Sequence, residues 1–246
     1  MSAITAIVAM IGKRLIGRRV ALILALLTLA PAVVLMVRDD GNQPAAFHNW
    51  VGPLLFALAL PLVALLTASA ALGEERFGHT LPYLMVKPIA RTSIAGAGWV
   101  AATIVSFAIG MVGVGSAWAV AAVRTGETGI GWGAAVGAAI TMIGYAAVFV
   151  PVGLMARQST LIGLAFILIW EGVIAGAGDT LAVASLWRTG LSGYVAVTPD
   201  VPADVLDALG NLTPGAWGAF AKVLVLSAMS IAGTTLLLRH RDLVKE

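Results

Sequence analysis

The chain contains no cysteine, which excludes disulfides, zinc–thiolate sites, iron–sulfur clusters and thiol nucleophiles together. Histidine is nearly as scarce, with three residues in 246. Charge is the third shortage. Only 11% of residues are Asp, Glu, Lys or Arg, against about a quarter in an ordinary soluble domain. No phosphate loop of the form G-x-x-x-x-G-K-[ST] occurs. Gly12-Lys13-Arg14 lacks the upstream glycine and the hydroxyl, so the chain is not expected to bind ATP by itself. Apolar residues fill the space left: they make up 60% of the sequence, and the mean hydropathy is +0.98. A soluble fold is excluded unless those residues cluster into membrane spans, and they do.

About 20 predominantly apolar residues cross a bilayer core as a helix. Six stretches qualify: 20–37, 51–72, 94–123, 131–155, 161–177 and 217–238. They lack the alternation of a barrel strand, and open sheets cannot span lipid, so an all-α integral membrane protein is expected. Lys and Arg set its orientation. With both termini inside, one side holds Lys13, Arg14, Arg18, Arg19, Arg76, Lys87, Arg91, Arg157, Arg239, Arg241 and Lys245, eleven in all. The other holds Arg38, Arg124 and Arg188 together with seven acids. Both termini are therefore expected in the cytoplasm. The pI near 9.6 reflects topology, and no nucleic-acid partner is implied. Arg outnumbers Lys by 11 to 4 alongside heavy Ala and Gly use, which suits a GC-rich bacterial genome and hence a bacterial inner membrane.

Residues 1–246 read as one transmembrane domain with three accessory parts. In 1–19, Ile4, Ile7, Val8, Ile11 and Leu15 share a helical face, as in a helix lying in the membrane interface rather than a cleavable signal. Residues 73–93 form a cytoplasmic loop. Residues 178–216 form an external loop with short helices, one opening at Pro202. Trp50, Trp132 and Trp217 begin spans on the external side, where indoles anchor. Several motifs carry no weight. Gly190-Leu191-Ser192-Gly193 matches the G-x-S-G of intramembrane serine proteases, but no histidine lies in a span to act as base. The glycine pairs Gly129/Gly133, Gly133/Gly137 and Gly172/Gly176 are no more than 28 glycines give by chance. No metal-ligand cluster stands out.

The segment after the second span is the most informative. Glu74, Glu75, Arg76 and Gly78 lead into a short helix that Thr80 can cap. Pro82 falls in its first turn, where proline is tolerated. Leu81, Leu84 and Met85 form an apolar stripe at i, i+3, i+4. Lys87 suits the negative helix end, Pro88 stops the helix, and Arg91 follows. The expected product is a stiff element of about 10 Å held against the membrane. Here the sequence resembles the ABC-2 type permeases of ABC exporters, which carry E-R-x-x-G-T-L-x-x-L-L-x-x-P-x-x-R at this place. Glu75, Arg76, Thr80, Leu81, Leu84, Met85, Pro88 and Arg91 match, and His79 replaces the glycine before the threonine. The layout of spans, and Trp170-Glu171-Gly172 in the fifth, are similar as well.

The resemblance implies a permease subunit that pairs with a second copy or a paralogue and docks an ATP-binding subunit on its cytoplasmic side. Residues Glu74, Glu75, Arg76, Gly78, Thr80, Leu81, Leu84, Pro88 and Arg91 would form the coupling surface, with ATP and Mg held by the partner. Membrane lipids surround the spans, and the cargo would be hydrophobic or amphiphilic: a drug, a lipid or a peptide. Glu171 is costly inside a span and has two readings, a structural partner for a helix N-terminus or a contact with substrate or gate. A regulatory membrane subunit and an ion-coupled transporter are the competing readings, although the second usually shows an internal repeat, and none is seen here.

Overall fold

The computed structural model describes residues 3–17, 19–37, 47–48, 52, 54–78, 89–126, 128–175, 177–199, 201–209 and 214–240. Among these there is helix and turn but no strand. Helix α1 (Ala3–Ile16) precedes α2 (Arg19–Thr28) and α3 (Ala30–Val37). A π-wound segment, Leu54–Ala59, leads into α4 (Leu60–Phe77), followed by α5 (Arg91–Thr125) and α6 (Gly129–Met155). α7 (Ser159–Ala165) continues as a π-wound segment, Phe166–Ile174. Then come α8 (Asp179–Ala182), α9 (Leu186–Val195), α10 (Ala203–Leu209) and α11 (Gly215–His240). The helix expected over 80–87 lies outside the described residues.

Among the described residues, five helices are long and apolar enough to cross a bilayer: Val20–Val37, Leu54–Phe77, Arg91–Arg124, Gly129–Met155 and Gly215–Arg239. The first is interrupted at Leu29 between α2 and α3, where Pro31 removes a backbone donor and Thr28 Oγ1 bonds back to the Ala25 carbonyl at 2.7 Å. α5 ends at Gly126, whose φ of 74° is left-handed and whose N–H reaches the Ala122 carbonyl. α6 is the central helix. Its Tyr145, Phe149, Met142 and Ala146 are fully buried, and α4, α5, α9 and α11 all pack on it. Its crossing with α4 is close because both helices present glycine. A Cβ at Gly73 would come within 2.7 Å of the Gly153 carbonyl, and one at Gly153 would collide with the Ser69 backbone. At the periphery, Leu22, Ile23 and Leu26 of α2 and Val225 and Met229 of α11 are exposed, faces that need an apolar surrounding.

α1 turns Ile7, Ile11 and Leu15 inward, packed chiefly against α5, and leaves Ile4, Met10 and Ile16 exposed. Its apolar face thus seals against the bundle. The stretch expected as the fifth span is a shorter helix, Ser159–Ile174. At 1.5 Å per residue its 16 residues cover about 24 Å, short of the ~30 Å hydrocarbon core. It lies along one half of α6: Gly163 faces Phe149, and the Phe149 and Phe166 rings meet edge-on at 6.0 Å. α9 lies along the other half, with Leu186 at Gly144, Gly190 at Thr141 and Gly137, and the Tyr194 carbonyl at Gly133. Two segments end to end therefore cover the length of α6, with a break at 175–185.

Candidate functional site

The charged residues singled out after the second span fall at the end of the bundle where α4 and α6 finish. Glu75 is buried, and Arg14 of α1 donates to its Oε1 at 2.7 Å, with Glu74 3.7 Å from the same guanidinium. Arg76 stacks over Phe77 at 5.1 Å and donates to the Leu154 carbonyl at 2.6 Å. Arg91 donates to the Leu238 carbonyl at 2.7 Å. The last carbonyls of a helix have no partner of their own, and a cation there also meets the negative end of the helix dipole. Arg76 and Arg91 therefore cap α6 and α11, while Arg14 ties α1 to α4. Gly78 closes α4, its N–H bonding to the Glu74 carbonyl at 2.8 Å. Thr80, Leu81, Leu84 and Pro88 lie outside the described residues. Arg14 and Arg91 thus bring α1 and the last turns of α11 to this same end of the bundle.

The bracing is expected to be cooperative. Replacing Glu75 by Ala leaves a half-buried guanidinium without its closest partner, and replacing Arg14 leaves a buried carboxylate. Losing one partner of a fully buried pair costs about 3–5 kcal/mol. Arg14 is one-third exposed, so about 1–3 kcal/mol is expected for either single change. A double-mutant cycle read by thermal unfolding should return a coupling of about 1 kcal/mol or more; additive losses would show that the two do not act together.

A second polar site sits inside the bundle. Glu171 is buried and accepts from Ser185 Oγ at 2.6 Å and from the Leu186 N–H at 2.8 Å. Ser185 is itself the N-cap of α9, taking the Arg188 N–H at 3.3 Å. The Tyr145 hydroxyl faces the same carboxylate. From α11, Lys222 Nζ donates to Val183 O at 2.6 Å, Ser185 O at 3.1 Å and Thr189 Oγ1 at 2.6 Å. Tyr145 is 16 residues from the start of α6 and 10 from its end, so the cluster is about 24 Å from one end and about 15 Å from the other. Glu171 thus closes the break between α7 and α9. The sequence gives no hint of Lys222 as its neighbour, because Lys222 is 51 positions away and nothing in its local pattern differs from a lone lysine in an apolar helix.

At the opposite end, Arg124 of α5 donates to the Leu35 and Met36 carbonyls at 2.9 and 2.8 Å and so closes α3. His48 Nδ1 and the Tyr194 hydroxyl share a hydrogen bond of 2.6 Å beside Phe47 and Phe56. Burial holds the His48 ring below its usual value of 6.5. The folded chain therefore binds fewer protons there than the unfolded one. The stability this represents is full above that value and falls as pH drops through it. Between about pH 7 and pH 5 the wild type should lose more melting temperature than His48→Gln, with a ceiling of about 1.4 kcal/mol per pH unit for one proton. Superimposed profiles for the two proteins would remove the effect.

Among the described residues no group of three or more His, Asp or Glu could hold a metal ion. A family model described as ABC-2 family transporter protein matches residues 13–185, a region that runs from the α1 cations through Glu75, Arg76 and Arg91 to Glu171 and Ser185. No curated protein matches the chain.

Proposed function

Because the chain belongs to the ABC-2 transporter family and is thereby the multi-pass membrane permease subunit of an ABC transporter, we propose that it is the membrane half of an ATP-driven exporter. Association with an ABC ATP-binding subunit follows from the family. The docking place we assign to it is the basic end, with residues 73–93 as the coupling loop. The observation that carries this is the bracing of that end: Glu74 and Glu75 on Arg14, Arg76 on α6, Arg91 on α11. A push on a loop flanked by these residues would reach α1, α4, α5, α6 and α11 together. Glu75, Arg76 and Arg91 are then transmitting residues, and Glu74, Gly78, Thr80, Leu81, Leu84 and Pro88 belong to the loop that receives the partner.

In this reading the basic end is cytoplasmic, as the distribution of Lys and Arg requires, in a bacterial inner membrane. Six crossings bring both termini to that face: the five long helices, and a broken one made of Ser159–Ile174 and α9. α1 lies at the cytoplasmic interface, and of 178–216 the part that follows α9 is the external loop. ATP and Mg bind the partner subunit. The exposed apolar faces of α2 and α11 meet lipid and a second permease copy or paralogue, and a hydrophobic or amphiphilic cargo leaves along that interface.

The test is co-purification with the co-expressed ATP-binding subunit. Leu84→Glu, in the apolar stripe of the loop, should lose the partner while the permease melts as wild type. Glu75→Ala should lose both partner and melting temperature. A Leu84→Glu permease that retains the ATPase in full would place the docking surface elsewhere.

A further inference from the structure

Lys222 is a lone cation near the start of α11, among Trp217, Phe220, Leu224 and Val225, all exposed and apolar. A lysine there is costly unless its ammonium is satisfied. All three of its N–H bonds are used, and none goes to a carboxylate: the acceptors are two backbone carbonyls and a hydroxyl at 2.6–3.1 Å. Two of them, Val183 O and Ser185 O, belong to the link between α8 and α9, and the third, Thr189 Oγ1, lies one turn into α9. On the same corner Glu171 takes the donors, Ser185 Oγ and the Leu186 N–H. A carboxylate from one helix binds the donors of the break, and an ammonium from another binds its acceptors. Lys222 also lies beyond residues 13–185, so the family match assigns it nothing.

We propose that Lys222 is a positioning residue whose ammonium acts as a tethered monovalent cation. It fixes the Val183–Ser185 corner, and with it α9, to α11. Three oxygen acceptors around one small ion is the arrangement a free ammonium would take, whereas a planar guanidinium, with five donors in a fixed fork, would not fit it. The tether makes the outer half of the broken helix move with α11. It rests on contacts within this chain and stands whether or not residues 73–93 receive an ATPase.

The cation character separates this role from simple packing. The purified permease, Lys222→Ala and Lys222→Met are melted by intrinsic tryptophan fluorescence in methylammonium chloride and, at matched ionic strength, in tetramethylammonium chloride. Lys222→Ala should melt several degrees lower than wild type. Methylammonium, which keeps three N–H donors and fits the space left by the side chain, should recover at least half of that loss; tetramethylammonium, with none, should recover nothing. Lys222→Met, which keeps the stem and fills that space, should show the loss without the recovery. A Lys222→Ala protein as stable as wild type, or one whose loss methylammonium does not touch, overturns the proposal. Thr189→Val tests it without altering the lysine. It should melt below wild type while Thr189→Ser does not, and a Thr189→Val protein that melts as wild type overturns the proposal independently.

Discussion

Gly153→Val is expected to remove most of the folded protein, while Gly115→Ala should raise the melting temperature. Both positions are glycines in long helices, and they differ only in what faces them. At Gly153 the facing atoms are the Ser69 backbone of α4, and at Gly73, one turn along α4, they are the Gly153 backbone itself. Backbone cannot change rotamer, so an added side chain forces the two helices apart. Overpacking a well-filled site costs about 1–3 kcal/mol when side chains can adjust, and here the cost should lie at or above the upper end. About 3 kcal/mol corresponds to a fall of about 6–12 °C for a chain of this size. The damage should extend beyond packing, because Arg76 caps α6 at Leu154 and Met155, the next two residues. At Gly115 nothing lies within 4 Å of an added Cβ. Removing a mid-helix glycine there should gain up to about 1 kcal/mol from backbone entropy. Equal responses at the two sites would mean that α4 and α6 do not cross on glycine.

How far the sequence foretells this depends on which contacts are local. Long apolar runs mark five helices, including Val20–Val37 residue for residue, because span length is fixed by the bilayer and needs no partner. The fifth run is less complete. Its hydropathy suits a span, but the helix ends at Ile174, and the other half of α6 is covered by α9, which carries Arg188, Thr189 and Ser192 and does not read as apolar. The glycine pair Gly133/Gly137 is indistinguishable from chance as a count, yet Gly133 meets Tyr194 and Thr198, and Gly137 meets Gly190 and Phe56. The G-x-S-G at 190–193 has a packing cause: Gly190 lies on Thr141 and Gly193 on Ile140. The arginine caps escape too. Arg76, Arg91 and Arg124 reach carbonyls 78, 147 and 89 positions away, and any arginine near a span end looks alike in one dimension. Glu171 is the opposite case, since an acid inside a span announces itself.

For Glu171, two substitutions should separate the readings its sequence context leaves open. Glu171→Leu strands the Leu186 N–H and the Ser185 hydroxyl in a buried site. Each unsatisfied donor costs about 1–3 kcal/mol, so a loss of about 2–6 kcal/mol is expected, with α9 freed from the end of the π-wound segment. Glu171→Gln is milder. Its carbonyl can still accept from Leu186, and the Ser185 hydroxyl can rotate to accept from the new amide, so about 1 kcal/mol should be lost. What the amide cannot supply is the negative charge beside a corner that Lys222 holds from the other side. If that pair of opposite charges sets the position of α9 during the proposed transport cycle, the Gln protein will assemble with its ATP-binding subunit, that complex will hydrolyse ATP, and it will move a fluorescent amphiphile more slowly than wild type in reconstituted vesicles. Full transport by a Gln protein of normal abundance would confine Glu171 to closing the break. A Leu protein that melts as wild type would remove even that, leaving α9 held by α6 and by Lys222 of α11.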